Sequence, residues 1–130
     1  VTIGDNVRLQ NNVSIFDGVE IEDDVFCGPS CVFTNVKNPR SFLPRNGNYE
    51  KTLICRGVTI GANCTIICGI KLHKYCFVGA GSVVTKDIKS HMLVFGNPAS
   101  HKGWVSKSGF KLDDNFYCKF EKKNYGFLKK

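Results

Sequence analysis

A six-residue repeat is the feature that most limits what this chain can fold into. Every sixth position from Ile3, and the position four residues after each, carries an apolar side chain in the first part of the chain: Ile3, Leu9, Ile15, Ile21, Cys27 and Phe33, with Val7, Val13, Val19, Val25 and Cys31. The pattern resumes at Ile54, and only one of its residues, Ser82, is polar. The repeated positions are then Ile54, Ile60, Ile66, Leu72, Val78 and Val84, with Val58, Cys64, Ile70, Cys76, Ser82 and Ile88.

This period excludes an amphipathic helix, which needs spacings of three and four, and it is not a simple two-residue alternation. Gly, Asp and Asn gather between the apolar positions, as in Gly4-Asp5-Asn6 and Gly61-Ala62-Asn63. These residue types adopt positive φ at turns at low steric cost. Three hexapeptides, about 18 residues, would close one triangular coil, and stacked coils share a continuous core. The sequence therefore predicts an all-β fold, a left-handed parallel β-helix.

We expect one domain in this chain of 130 residues. Residues 1–99 form the β-helix, with a protruding loop inserted at 34–56. Residues 100–130 lose the repeat and form a short, β-rich C-terminal extension that caps the lower end of the solenoid. The chain begins in mid-repeat, so we expect further coils upstream. Nothing at its start resembles a signal peptide and it has no apolar run of 18 residues, so we expect a cytoplasmic location.

Composition adds weaker constraints. The net charge is +7, but the lysines concentrate after residue 100 and are not interleaved with aromatic residues, so nucleic-acid binding is not expected. Phosphorylated small molecules explain the charge equally well. The seven cysteines form no CxxC motif, and no metal site is expected. Cys31, Cys64 and Cys76 occupy core positions, where a reduced thiol acts as a small apolar group.

Several strings narrow the possibilities. They are FTN at 33–35, NPRS at 38–41, VGAGSVVTKD at 78–87 and GNPA at 96–99. With them the chain, from Val1 to about Trp104, resembles the hexapeptide-repeat N-acetyltransferases of nucleotide-linked amino sugars. It is most similar to those that acetylate a 3-amino group on UDP- or dTDP-sugars. The strings at 78–87 and 96–99 indicate only the wider acyltransferase superfamily. The strings in the loop, at 33–35 and 38–41, narrow the resemblance to enzymes that act on sugar amines.

The resemblance implies acetyl transfer from acetyl-CoA to an amine of a nucleotide-linked amino sugar, in a homotrimer with active sites between subunits. A neutral amine is already nucleophilic, so such a site mainly positions it and stabilises the developing oxyanion. Asn35, in the FTN string, is the candidate for orienting the acetyl group or the amine, and Asp17 is a candidate carboxylate for the amine. Asn35 as a cap of the loop and Asp17-Gly18 as an ordinary turn remain alternatives.

The resemblance also implies binding residues. Candidates for the sugar nucleotide lie before and within the loop, where guanidinium groups match phosphate or carboxylate: Gln10, Asn11, Asn12, Arg40 and Arg45. Candidates for CoA are mostly small residues whose backbone a pantetheine arm can approach, with two lysines for phosphate: Ala62, Gly79, Ala80, Gly81, Lys86 and Lys102. Relatives commonly carry Arg after GNPA, whereas this chain has Ser100, so Lys102 is expected to supply that charge.

The histidines give less support for catalysis. His73, His91 and His101 all lie outside the loop, although His73 and His91 are 18 residues apart and could stack. The three zinc-binding histidines of a β-helical carbonic anhydrase are not apparent. Two alternatives stay open: an N-acetyltransferase for a 4-amino sugar or another small amine, and a non-catalytic β-helical scaffold or binding domain. The polar loop beside GAG and GNPA favours the enzyme.

Overall fold

A computed structural model describes residues 1–45 and 47–129 of the chain. Its strands are short and form three parallel sheets, one on each side of a triangular solenoid. The first sheet contains β1 (Thr2–Ile3), β3 (Val19–Ile21), β6 (Thr52–Ile54) and β9 (Lys71–Leu72). The second contains β2 (Arg8–Leu9), β4 (Phe26–Cys27), β7 (Thr59–Ile60), β10 (Phe77–Val78) and β12 (Met92–Gly96), extended by β13 (Ala99–Trp104). The third contains β5 (Val32–Phe33), β8 (Thr65–Ile66) and β11 (Val83–Val84).

The fold is the predicted left-handed parallel β-helix, and the register shows its parallel coils. Ile3 pairs with Ile21 in the next coil, and Ile54 pairs with Leu72. Turns separate the strands, and several of their residues have positive φ, among them Asn6, Asn12, Asp24 and Asn63. The Asn and Asp residues between the apolar positions therefore do what the sequence predicted.

The core lies inside the triangle, where the two apolar series meet. From Val19 onward, every predicted core position is buried, including Ser82, whose hydroxyl donates to the carbonyl of Gly79. In the first coil, by contrast, Ile3 is 43% exposed and Leu9 is 39% exposed. Within the part of the chain that the structure describes, these two residues have a coil below them and none above, so their side chains are covered on one side only.

The loop is shorter than predicted. The repeat resumes at β6, whose Thr52 pairs with Val19, so the excursion runs from 34 to 51 rather than to 56. Thr52 hid this boundary because it is a polar residue in a buried position, 1% exposed. Its hydroxyl accepts a hydrogen bond from the amide of Gly69 at 3.1 Å, which offsets the cost of burying it.

The last coil is shorter than the others. Leu72 pairs with Ile88, 16 residues away, whereas Ile54 pairs with Leu72, 18 residues away, and the amide of Lys71 donates to the carboxylate of Asp87. His91 therefore lies against Tyr75, with 5.3 Å between the ring centroids, and not against His73. The predicted stacking of the two histidines is wrong because two residues are missing from this coil.

After β12 the chain reverses at Asn97–Pro98, and β13 returns antiparallel to β12. The boundary predicted between residues 99 and 100 thus falls inside β13. The remaining extension contains β14 (Tyr117–Cys118), β15 (Lys123–Asn124) and a 3₁₀ helix (Gly126–Leu128) around a second small core. No helix in 1–45 or 47–129 is long and apolar enough to cross a membrane.

The extension packs beside the solenoid. The amide of Val105 donates to the carbonyl of His91 at 2.8 Å, and the His91 ring lies 5.6 Å from that of Tyr125. The sequence predicts a cap across the lower end, whereas these contacts lie on the flank, because the β12–β13 hairpin turns the chain back along the sheet.

Candidate functional site

The solenoid has three corners, each a column of turns from successive coils. The loop corner contains Asp17–Gly18, the loop at 34–51, Cys68–Gly69 and Lys86. The small-residue corner contains Asn11–Asn12, Pro29–Ser30, Ala62–Asn63 and Ala80–Gly81. The charged corner contains Asp5–Asn6, Asp23–Asp24, Arg56–Gly57 and Lys74–Tyr75. The face that carries the third sheet lies between the loop corner and the small-residue corner.

The loop corner brings the two predicted catalytic residues into contact. Asn35 is half-buried, and its Nδ2 donates to the main-chain carbonyl of Asp17 at 3.0 Å. The carbonyl of Asn35 in turn accepts from the amide of Glu50 at 2.9 Å, at the far end of the loop. Asn35 therefore joins both stems of the loop to the solenoid, which is the capping role that its residue type suggested. Its Oδ1 is not used in either bond and is an available acceptor.

Two threonines hold the loop's base to the coil below. The hydroxyl of Thr34 accepts from the amide of Cys68 at 3.0 Å, and that of Thr52 accepts from Gly69 at 3.1 Å. These hydroxyls stand at the two ends of the excursion and bind consecutive amides of one turn. The stems therefore have a fixed spacing, which a loop needs if it is to position catalytic groups.

Gly18 allows the loop to approach closely. It has a φ of +99°, and a Cβ at this position would lie 2.7 Å from the carbonyl oxygen of Glu50. The Gly18 carbonyl also accepts from the amide of Thr52 at 2.9 Å. The Asp17–Gly18 turn thus packs against both stems of the loop, and only glycine fits there.

The loop encloses a small cavity of 290 Å³ that Arg40 and Arg45 both line. Arg45 donates from Nη1 to the carbonyl of Leu43 at 3.1 Å, so its other guanidinium N–H groups remain for a ligand. Tyr49 lines the same cavity, half-buried. Tyr49 was not among the residues predicted from the sequence, where an aromatic side chain three positions before the strand was its only signal.

The small-residue corner is a ledge of closely stacked backbone. A Cβ on Gly28 would lie 2.6 Å from the amide nitrogen of Ala62, and a Cβ on Gly61 would lie 2.6 Å from that of Ala80. Gly81 is exposed, and no described atom lies within 4 Å of the place that a Cβ on it would occupy. Small side chains leave peptide groups accessible here, as binding along the backbone requires.

The candidates do not form one pocket within a single chain. The Gln10–Asn12 segment shares the small-residue corner with Ala62 and the Gly79–Gly81 segment, whereas Asn35 and Asp17 lie at the opposite edge of the third sheet's face. The two lysines are apart from that corner as well. Lys86 lies at the loop corner, and Lys102 lies in β13, with its Nζ 5.3 Å from the centre of the Phe95 ring.

The histidines have structural partners. Nδ1 of His91 lies 2.9 Å from the carbonyl oxygen of Val105, and burial lowers the pKa of this imidazole. Nε2 of His101 lies 2.8 Å from the carbonyl oxygen of Gly103. His73 lies in the turn after β9. The described part of the loop brings none of the three to Asn35. In the same described residues, no three His, Cys, Asp or Glu side chains converge as metal ligands.

Comparison with known proteins agrees with this architecture. Residues 51–86 match the family described as bacterial transferase hexapeptide (six repeats), and residues 1–17 match the hexapeptide repeat of succinyl-transferase. The chain is 44% identical over 79 residues to the dTDP-3-amino-3,6-dideoxy-alpha-D-galactopyranose 3-N-acetyltransferase of Aneurinibacillus thermoaerophilus, covering 58% of this chain and 41% of the relative.

Two further relatives match more of the chain. The galactoside O-acetyltransferase of Lactococcus lactis is 32% identical over 113 residues, which cover 85% of this chain and 53% of the relative. A hexapeptide-repeat acetyltransferase of Vibrio cholerae, solved in complex with acetyl coenzyme A, superposes with a TM-score of 0.65 at 29% identity, covering 80% of this chain and 60% of that structure.

The chain spans about half the length of the curated relatives it matches, between 41% and 53%. The matched segments contain the repeats on both sides of the loop, and the structural superposition covers most of the solenoid. The chain is therefore built from bacterial transferase hexapeptide repeats, and over most of its length it is similar to hexapeptide-repeat acetyltransferases.

Proposed function

We propose that this protein transfers the acetyl group of acetyl-CoA to an amino group of a nucleotide-linked amino sugar, with a 3-amino sugar favoured, in glycan biosynthesis. One observation carries the proposal: Asn35 is fixed on Asp17 at the base of a loop whose cavity Arg40 and Arg45 line. The relative named as a 3-N-acetyltransferase of a dTDP-linked amino sugar supports this substrate class.

Each residue has a distinct task in this proposal. Oδ1 of Asn35 accepts a hydrogen bond from the sugar amine and orients its lone pair toward the acetyl carbonyl carbon. The N–C bond forms, the C–S bond of the thioester breaks, and the sulfur leaves as the CoA thiol after it receives a proton. The Asp17 carboxylate, which is exposed, holds the ammonium proton as it leaves the new amide. Arg40 and Arg45 bind the diphosphate of the sugar nucleotide.

In this proposal CoA binds along the small-residue corner through hydrogen bonds to the main chain of the protein. The Gly81 amide already donates to the Ala62 carbonyl at 2.8 Å, which leaves the amides of Ala62 and Ala80 and the carbonyls of Ala80 and Gly81 for the amides of a pantetheine arm. No bulky side chain obstructs the arm at this corner. The Vibrio cholerae structure supports acetyl-CoA as the co-substrate. Lys86 and Lys102 are the proposed contacts for its phosphates.

Assembly completes the site in this proposal. Because the loop corner and the small-residue corner lie at opposite edges of one face, a single chain separates amine and thioester. In a homotrimer of parallel solenoids, the loop corner of one subunit faces the small-residue corner of its neighbour, and the two half-sites meet. Analytical ultracentrifugation tests this step, since a monomer that retains full acetyl transfer would contradict it.

A direct assay tests the activity. Purified protein and acetyl-CoA are incubated with UDP- and dTDP-linked 3-amino and 4-amino sugars, and thiol release and product mass are followed. We expect one acetyl group added per thiol released, with faster turnover of a 3-amino sugar. The 4-amino sugars report the closest alternative substrate. A folded trimer that acetylates none of them would instead support a non-catalytic scaffold.

A second candidate is acetylation of a sugar hydroxyl, because the galactoside O-acetyltransferase relative matches 85% of the chain. A hydroxyl is a much weaker nucleophile than an amine and needs a general base to remove its proton. His73, His91 and His101 all lie outside the loop. A galactoside acceptor belongs in the same assay, and its preferential acetylation would replace the amine proposal.

A further inference from the structure

The flank between the solenoid and the C-terminal extension contains a second cavity, of 660 Å³, which none of the described loop residues lines. Its walls come from three places: the last turns of the charged corner, the β13 strand and the 3₁₀ helix. Ligand pockets for small molecules typically measure about 300–1,000 Å³. The size therefore suits a small molecule, and nothing in the proposed acetyl transfer uses this cavity.

Aromatic side chains dominate the walls of the flank cavity. Trp104 is half-buried and lies edge-on to His101, with 4.8 Å between their ring centroids. Phe127, on the 3₁₀ helix, is 62% exposed and lies 6.1 Å from the His91 ring. An exposed ring beside a cavity offers a stacking surface to a planar ligand, and stacked aromatic rings attract each other beyond the burial of their area.

The charge at the cavity has one sign. Lys74 and Lys89, both exposed, line it from successive turns of the charged corner, and no Asp or Glu of the described residues is in its lining. His91 adds no charge near neutral pH. Its Nδ1 faces the carbonyl of Val105, and burial lowers the pKa of the ring. The two lysines can therefore receive an anionic group without a competing carboxylate in that lining.

We propose that the flank cavity binds a small anion that carries an aromatic ring, an aryl phosphate or aryl carboxylate, with the ring against Trp104 and Phe127 and the anion on Lys74 and Lys89. Recognition needs both parts of the ligand because the lysines and the rings occupy different walls. This binding is separate from the acetyl-transfer site and does not depend on the proposed acetylation.

Trp104 is the single tryptophan of the chain, so its fluorescence reports this cavity directly. Phenyl phosphate is titrated into the full chain, alongside inorganic phosphate and benzyl alcohol as the separate halves. We expect a saturable change in Trp104 fluorescence with phenyl phosphate, and binding of either half alone weaker by at least about tenfold. Equal binding of inorganic phosphate, equal binding of benzyl alcohol, or no saturable change with phenyl phosphate overturns the proposal.

Matched variants locate the binding. The double variant Lys74→Gln with Lys89→Gln should weaken phenyl phosphate binding by about tenfold or more, since it removes both charges. Lys71→Gln with Lys119→Gln removes two exposed charges outside the cavity and should bind as the unaltered chain does. Asn35→Ala, at the loop corner, should also bind normally. Equal loss in the two double variants would show only general charge attraction and would refute the site.

Discussion

Nδ2 of Asn35 donates a hydrogen bond to the main-chain carbonyl of Asp17 at 3.0 Å, across 18 residues of sequence. The bond joins one coil of the solenoid to the start of the loop in the next. Because the acceptor is a main-chain carbonyl, neither the Asp17 carboxylate nor the Oδ1 of Asn35 takes part in this bond. The two residues thus present separate polar groups at one place.

The substitution Asn35→Ala should lower kcat/KM for acetyl transfer by about 10²-fold, the usual loss when a single orienting or oxyanion-binding group is removed. The lost bond to Asp17 should reduce the free energy of unfolding by only about 0.5–1.5 kcal/mol. Steady-state kinetics and urea denaturation measure the two effects. Asn38→Ala removes an exposed asparagine of the same loop and serves as the control. Full turnover in Asn35→Ala would remove Asn35 from the mechanism.

The substitution Asp17→Asn tests the role of the Asp17 carboxylate separately from the role of Asp17 as a turn residue. The main-chain bond from Asn35 persists in this variant, and Asn is well tolerated in turns, so the melting temperature should stay close to that of the unaltered chain. Acetyl transfer should nevertheless fall by about tenfold or more, because the amide cannot take the proton of the amine. Asp5→Asn makes the same change in a turn of the charged corner. If both variants keep full activity, Asp17 acts only as a turn residue.

Gly18→Ala tests the close approach of the loop. A Cβ at Gly18 would meet the carbonyl oxygen of Glu50 at 2.7 Å, so the stem must move away from the solenoid. Gly47→Ala is the matched control, since Gly47 also has positive φ, +84°, but no described atom lies within 4 Å of its Cβ position. Both variants carry the strain of positive φ, about 1–2 kcal/mol. Gly18→Ala should be the less stable of the two and should lose activity as well. Equal melting temperatures would contradict the contact.

Thr52→Val tests the buried hydroxyl at the loop's base. Valine matches the shape of threonine but leaves the amide of Gly69 without its acceptor, which should cost about 1–3 kcal/mol of unfolding free energy. Thr59→Val, in the neighbouring β7 strand, changes a half-buried threonine instead and should have little effect. Chemical denaturation of both variants gives the comparison. A Thr52→Val protein as stable as Thr59→Val would show that the hydroxyl does not hold the stem.

The solenoid could be predicted because its core repeats every six residues, and each apolar position from Val19 onward is buried as expected. The end of the loop and the length of the last coil could not be predicted. Thr52 is polar and buried, which hid the end of the loop, and the last coil loses two residues between Leu72 and Ile88, which moved His91 onto Tyr75. Local exceptions of this kind depend on hydrogen bonds between coils, and a periodic pattern contains no information about them.

The relative position of two candidate residues could be predicted for a related reason. Asn35 and Asp17 are three hexapeptides apart, so the period itself places them on one corner, and the structure shows the contact. The flank cavity was not foreseen, because the repeat relates only Lys74 and Lys89 to each other, whereas Trp104 and Phe127 come from segments outside the repeat. They come together because the chain reverses after β12, and the sequence does not show in which direction the chain then runs.

Glu121 should make the C-terminal extension sensitive to acid. Burial alone would raise the pKa of its carboxyl group, but hydrogen bonds from Ser106, Tyr125 and Ser108 outweigh burial and lower the pKa from 4.5 to about 2. A carboxyl group with a lowered pKa in the folded state stabilises the protein above its unfolded pKa. That stability is lost as the pH falls from about 4.5 towards 2, where the group takes up a proton.

Glu121→Gln should therefore be less stable than the unaltered chain at neutral pH, and the difference should shrink as the pH falls towards about 2. The fluorescence of Trp104 is a suitable measure, because Trp104 packs against the small core that contains Tyr125. Glu20→Gln, at an exposed position of β3, is the control and should show no such pH-dependent difference. If the stability gap of Glu121→Gln is the same at acid and neutral pH, the ionised carboxylate does not hold the extension together, and neutral hydrogen bonds would suffice.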